Sequence, residues 1–132
     1  MSVLLSFSDK SPRKLGSEAE RTAVGYLQRR RWRILDTNYH TRQGEIDIIA
    51  RDGDQLVFVE VKSSQKQTEW YAGNRIDLRK QKRMLLTARH YIASHEIPVG
   101  GIRFDAVIMV AKPNGESSIE HIKDAFRIEE DG

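Results

Sequence analysis

Gly44-Glu45-Ile46-Asp47-Ile48-Ile49-Ala50-Arg51, then Asp52-Gly53-Asp54, then Gln55-Leu56-Val57-Phe58-Val59-Glu60-Val61-Lys62 reads as two strands joined by a tight turn. Asp-Gly between apolar runs is a hairpin signal, because glycine accepts the positive φ that short hairpin turns need. The strand from about Glu45 to Arg51 should therefore run antiparallel beside the one from about Gln55 to Ser63. Side chains on a strand alternate between faces, so Leu56, Phe58, Glu60 and Lys62 share one face and Val57, Val59 and Val61 the other. Glu60 and Lys62 are then roughly 6.5 to 7 Å apart along the chain. Both faces are apolar, which places this strand inside its sheet rather than at an edge.

A carboxylate and a lysine at the end of a central strand face partial burial, and unpaired buried charge is costly. The hairpin brings Asp47 towards Glu60 from the neighbouring strand, with twelve residues between them in sequence. Two converging carboxylates repel unless a cation joins them, and Mg²⁺ commonly takes one or two protein carboxylates while keeping positions for water and phosphate. The bland alternative is a salt bridge of Lys62 with Asp47 or Glu60. On a solvated strand that would contribute about 0–1 kcal/mol. The apolar surroundings and the second acid favour a metal site.

Asp followed by Glu-x-Lys on a hairpin resembles the core of the PD-(D/E)xK nuclease superfamily. A narrower set of motifs, Gly44-Glu45-Ile46-Asp47, Val57-Phe58-Val59-Glu60-Val61-Lys62, Lys80-Gln81, Arg103-Phe104-Asp105 and Ile122-Lys123-Asp124-Ala125-Phe126, looks like the YraN family of bacterial proteins. The match runs from about Leu15 to Phe126. That resemblance implies a restriction endonuclease-like fold, similar to Holliday junction resolvases. It also implies hydrolysis of phosphodiester bonds in DNA, including branched or damaged DNA, with Mg²⁺ or Mn²⁺. Asp47 and Glu60 would be metal ligands, Glu20 a third carboxylate from the first helix, and Lys62 the residue that positions water or stabilises charge on the phosphate. Resolvase-like enzymes often act as dimers, so a homodimer belongs to the expectation. Two positions depart from the patterns: Ile46 stands where the superfamily has proline, and Ala19 where the narrower family usually has glycine. A nuclease fold retained only to grip nucleic acid is the competing reading.

Glu20 has two readings. Ser17-Glu18-Ala19-Glu20 is a capping box, in which Ser17 and Glu20 satisfy backbone donors at a helix start. Glu20 also lies in line with Ala23, Val24 and Leu27, the face that packs on the sheet, from which it could reach a metal. Gln81 heads a stripe with Leu85, Ala88 and Ile92, flanked by Met84 and Tyr91. The resemblance suggests a catalytic glutamine that hydrogen-bonds the lysine or a phosphate; a helix-start amide is the alternative. Lys80, Lys82 and Arg83, and Arg30 in the Arg29-Arg30-Arg31 run with Arg33, could neutralise phosphates. The arginine run equally suits a helix C-terminus, where the macrodipole favours cations. Trp32, Trp70 and Tyr71 could stack on bases, or Trp32 could be core.

The 132 residues suit one domain that can bury a real core. Hydrophobic residues at 39% and charged residues at 31%, without low-complexity blocks, indicate a globular chain. A net charge of +3 is too small to identify a nucleic-acid binder, so charge placement must decide. The absence of cysteine excludes disulfides and thiolate zinc sites. His40, His90, His95 and His121 have no ligand spacing and read as scattered surface residues. No apolar run is long enough to span a membrane, and Met1 to Leu5 lacks the pattern of a secretory signal, so a cytoplasmic location is the default expectation.

Residues 1–14 read as a mobile leader, 15–126 as the endonuclease-like domain and 127–132 as a polar tail. Helices are expected from about Ser17 to Arg31 and Ile76 to Ser94. Strands are expected near Arg33–Asn38, Glu45–Arg51, Gln55–Ser63, Ile102–Val110 and Ser118–Ile122. Residues Ser64 to Arg75 read as a loop that could gate or contact substrate. Arg103 and Asp105 share a strand face and should form a supporting ion pair. The order αβββαββ predicts an α/β fold with a mixed sheet and helices packed on it.

Overall fold

The computed structural model describes residues 17–64, 76–97 and 100–127. In chain order the elements are α1 (Glu18–Arg29), β1 (Arg33–His40), β2 (Glu45–Asp52), β3 (Gln55–Ser64), α2 (Leu78–Ser94), β4 (Ile102–Ala111) and β5 (Ser117–Ile122). The expected element order and α/β class are borne out, with boundaries that differ by one or two residues. The anticipated leader, most of the loop from Ser64 to Arg75, including Trp70 and Tyr71, and the last residues of the tail lie outside the described residues.

The strands form one sheet in the order β1-β2-β3-β4-β5. Gly53, at φ +60°, is the first residue of a two-residue turn that sets Asp52 against Gln55. The β2–β3 ladder continues through Arg51–Leu56 and Ala50–Val57 to Ile48–Val59. β3 is central, as its two apolar faces require. It runs parallel to β4, with Glu60 opposite Ala106 and Lys62 opposite Ile108, and the connection between these strands carries α2. β1 and β5 pair antiparallel at the edges.

The two faces of β3 seed two cores. Val57 and Val59 meet Ala23, Val24 and Leu27 of α1, together with Trp32, Ile48 and Val107. Leu56 and Phe58 meet Met84, Ala88 and Tyr91 of α2, together with Phe104, Ile108 and Phe126. Trp32 is buried and forms part of the α1 core, so it offers no stacking surface for a base. On α2 the most buried line is Met84, Thr87, Ala88 and Tyr91. Leu85 and Ile92 lie at its margin, which rotates the buried face by about one residue from the expected Gln81-Leu85-Ala88-Ile92 stripe. Phe58 and Tyr91 pack edge to face across this layer, their centroids 6.0 Å apart.

The arginine run is accounted for by the end of α1. Arg31 adopts φ +69°, the Arg31 N–H donates to the Gln28 carbonyl at 2.9 Å and the Trp32 N–H to the Leu27 carbonyl at 3.1 Å. That bond pair is a Schellman closure in which arginine takes the place glycine usually holds. Arg30 lies over the Tyr26 ring at 4.7 Å. Ten residues from Glu20, it sits roughly 15 Å along the helix axis from it.

Candidate metal centre

The β2–β3 ladder stops at Ile48–Val59, one residue short of Asp47 and Glu60. Ile46 and Ile49 belong to the α2 core whereas Ile48 and Ala50 belong to the α1 core, so side-chain alternation slips across Asp47. Asp47 Oδ2 accepts the Val61 N–H at 2.8 Å, the donor that the parted strand no longer satisfies. The gap in the ladder thus orients the acid by a backbone bond.

Glu60 is 3% exposed. Burial pushes the Asp47 carboxyl up, the adjacent Glu60 charge pushes it further, and the Val61 N–H only partly opposes them; its pKa rises to about 7. The pair therefore sits close enough for one charge to feel the other strongly. Mg²⁺ or Mn²⁺ fits these two carboxylates as donors: the oxygens are hard, and their repulsion is the kind a divalent cation relieves. Among the described residues no group of three or more acids and histidines could hold a metal by protein ligands alone. Two carboxylates nonetheless match the number Mg²⁺ commonly takes.

Glu20 forms the expected capping box: its Oε1 accepts the Ser17 N–H at 3.3 Å, and its N–H donates to Ser17 Oγ at 3.0 Å. The same Oε1 accepts from Asn38 Nδ2 at 3.2 Å. Burial, followed among the raising influences by the Asp47 charge, holds its carboxyl above the usual range. Glu20 is therefore an electrostatic neighbour of the pair whose carboxylate is engaged at the helix cap. Asn38, at φ +48° on β1, links that cap to the sheet. Only its side-chain type, which tolerates a left-handed backbone, could have hinted at such a position.

Lys80 brings a cation from α2 to the acids: its Nζ forms an ion pair with Glu60 Oε2. Burial alone would lower the Lys80 pKa, but the hydrogen bond and charge of Glu60, then Asp47, raise it overall. Lys62 lies two residues beyond Glu60 on β3 and is half-buried. Gln81 Nε2 donates to the Ile76 carbonyl at 2.7 Å and pins the entry to α2. Asp47, Glu60, Lys80 and Arg83 line a cleft of about 460 Å³, joined by Glu45 of the Gly44-Glu45-Ile46-Asp47 motif and by His40, which has no distinguishing sequence signal. Of the proposed nucleic-acid contacts, Lys80 and Arg83 reach this cleft, Lys82 is exposed on α2, and Arg30 stands at the other end of α1.

Gly44 lets the β1–β2 turn approach α2. A Cβ there would lie 3.1 Å from Arg83 Cβ and 3.2 Å from Thr87 Oγ1. Gly44→Ala is expected to cost roughly 1–2 kcal/mol by overpacking, as measured by urea denaturation. It should also shift the cleft residues of α2 in NMR spectra. Wild-type stability and spectra would remove this role.

Away from the cleft, Asp105 is fully buried. It accepts from Arg103 Nε at 2.8 Å, Arg103 Nη2 at 3.0 Å, His121 Nε2 at 2.8 Å and the Asp124 N–H at 3.0 Å. Arg103 continues to Gln55 Oε1 at 2.6 Å and Asp52 Oδ2 at 3.1 Å. The anticipated ion pair is one part of this network. The reading of His121 as a surface residue is overturned, because its side chain is 6% exposed and bonded to Asp105.

The fold and site define a mixed α/β protein with two carboxylates converging where a hairpin opens, in a cleft flanked by cations. The chain belongs to the uncharacterised protein family UPF0102, the YraN family, whose model matches residues 19–109. It is 43% identical over 113 residues to a UPF0102 protein of Nitrosomonas europaea, covering 84% of this chain and 92% of that one. It is 38% identical over 127 residues to one from Chlorobaculum parvum, covering 92% and 98%, respectively. A UPF0102 protein of Syntrophus aciditrophicus is 41% identical over 115 residues, covering 87% of this chain and 90% of the relative. Among the described residues no helix is long and apolar enough to cross a membrane.

Proposed function

We propose that this protein is a divalent-metal-dependent nuclease acting on DNA, with Asp47 and Glu60 as the metal ligands. The observation that carries this reading is the convergence of two shielded carboxylates at the point where β2 and β3 part, inside a cleft that also holds Lys80 and Arg83. A plain structural ion pair needs one acid; the second raises the cost of the arrangement unless a cation is to be bound. Bound Mg²⁺ or Mn²⁺ would supply Lewis acidity and a more acidic water. The Val61 N–H holds Asp47 in position, and Glu60 presents its carboxylate from the rigid central strand. Arg83 and His40 at the cleft are suited to phosphate oxygens. Lys62, on the strand face of Glu60, is suited to orienting a nucleophile or steadying phosphate charge.

The Lys80–Glu60 ion pair favours one alternative, a nucleic-acid-binding module in which the acids serve only to anchor α2. Incubation with branched, flapped, duplex and single-stranded DNA in Mg²⁺ or Mn²⁺ separates the two readings. Cleavage that is lost in Glu60→Gln and Lys62→Ala is expected for the nuclease. Salt-sensitive binding without cleavage of any substrate would favour the module.

A further inference from the structure

We propose that Lys80 is the site's resident counter-ion, neutralising the carboxylate pair in the metal-free protein and leaving for the cleft mouth when a divalent cation binds. This inference rests on the metal-site reading above and adds a role for the residue that occupies the site without metal.

Lys80 is the third residue of α2, in a first turn that contains no acid. A helix N-terminus carries a partial positive charge, so a lysine there is disfavoured unless something compensates it. Glu60 supplies that compensation through the ion pair. The backbone of Lys80 is fixed, since its N–H donates to Asp77 Oδ1 at 2.8 Å and caps the helix. Its side chain is 48% exposed, whereas that of Glu60 is 4% exposed. The lysine is therefore the partner that can leave: four flexible methylenes allow the ammonium to reach water while its Cα stays in place. The carboxylate cannot follow.

Displacement has a further consequence in the cleft. A metal-bound pair no longer needs Lys80, and the released ammonium lies one helical turn from Arg83, at i and i+3 on α2. Two cations would then face the space where phosphate would sit. In the metal-free state one of them is held back by Glu60, so loading the metal and readying the cleft for a polyanion become the same event. Metal and phosphate should accordingly favour each other's binding.

The test compares Mn²⁺ binding to the full chain and to Lys80→Gln by calorimetry without DNA, alongside thermal melts in EDTA at pH 8. Lys80→Gln is expected to bind Mn²⁺ more tightly, by roughly two- to fivefold, because one competing half-exposed ion pair is removed. It should melt lower than wild type without metal and gain more from Mn²⁺. Lys80→Arg, which keeps the charge, should restore weaker binding. Mg²⁺ titration of ¹⁵N-lysine-labelled wild type, with the Lys80 side-chain signal assigned by its loss in Lys80→Gln, should move that signal towards those of solvated lysines. Equal or weaker Mn²⁺ binding by a folded Lys80→Gln, or an unmoved Lys80 signal at metal saturation, overturns this inference alone. No Mn²⁺ binding by wild type overturns it together with the metal-site reading.

Discussion

Replacing Asp47 by asparagine is expected to make the metal-free protein more stable at pH 8 while removing metal binding and DNA cleavage together. The gain follows from the cost of the native carboxylate, which is half-buried beside the buried Glu60 with its pKa raised from 3.8 to about 7. A group whose folded pKa lies above its unfolded value binds its proton more tightly in the native state. The stability tied to that proton is complete below about pH 4 and is lost as pH rises to about 7. At pH 8 the ionised acid costs on the order of 2–4 kcal/mol. Asparagine keeps an oxygen for the Val61 N–H and carries no charge, so thermal melts in EDTA should rise by several degrees at pH 8 and differ little at pH 4. Addition of Mg²⁺ should raise the wild-type melting temperature and leave Asp47→Asn unmoved. A variant that is less stable than wild type at pH 8, or that still responds to Mg²⁺, would contradict the site as described. The expected exchange of stability for function is common where a site must hold like charges together.

Asp105 should behave in the opposite way. Asp105→Ala is expected to lose about 3–5 kcal/mol, because it strands Arg103 and His121 in the interior without their shared acceptor. Small domains have only about 5–15 kcal/mol in total. Asp105→Asn, which keeps the shape and one acceptor, should lose less, and urea denaturation of the pair measures both. Burial alone would raise the Asp105 carboxyl, but His121, Arg103 and the Asp124 N–H outweigh it and hold it below its usual 3.8. With the folded pKa depressed, its contribution is present above about pH 4 and falls away as pH drops through the lower folded value. The buried Asp105 and the half-buried Asp47 therefore tilt the stability profile in opposite directions, Asp105 against strong acid and Asp47 against neutral pH. A folded Asp105→Asn should still bind Mn²⁺ as wild type does. Loss of metal binding without loss of stability would move Asp105 from the framework into the site.

The order αβββαββ, the hairpin around Gly53, the central place of β3 and the capping box at Ser17 were all legible in the chain. Each is written in short-range terms: a period of two or of 3.6, a turn glycine, a pair of residues three apart. The convergence of Asp47 and Glu60 was legible for the same reason, since a short turn determines which residues of its two strands face each other.

What the sequence could not determine by itself is which cation meets those acids. Glu60 lies near Lys62 in sequence, yet its ion pair with Lys80 reaches twenty residues along the chain, because α2 packs over the end of β3 with its first turn above the parted strands. Trp32 entered the core, His121 became a buried partner of Asp105, and Arg30 was carried to the other end of α1 from the cleft. Each outcome depends on how whole elements are stacked, and the same side chain can serve either a surface or an interior until the opposing layer is in place. Secondary structure and the carboxylate pair are thus local properties of this chain, whereas the counter-ion and the second buried network are decided by long-range packing, where the cost of leaving a charge unpaired selects the partner.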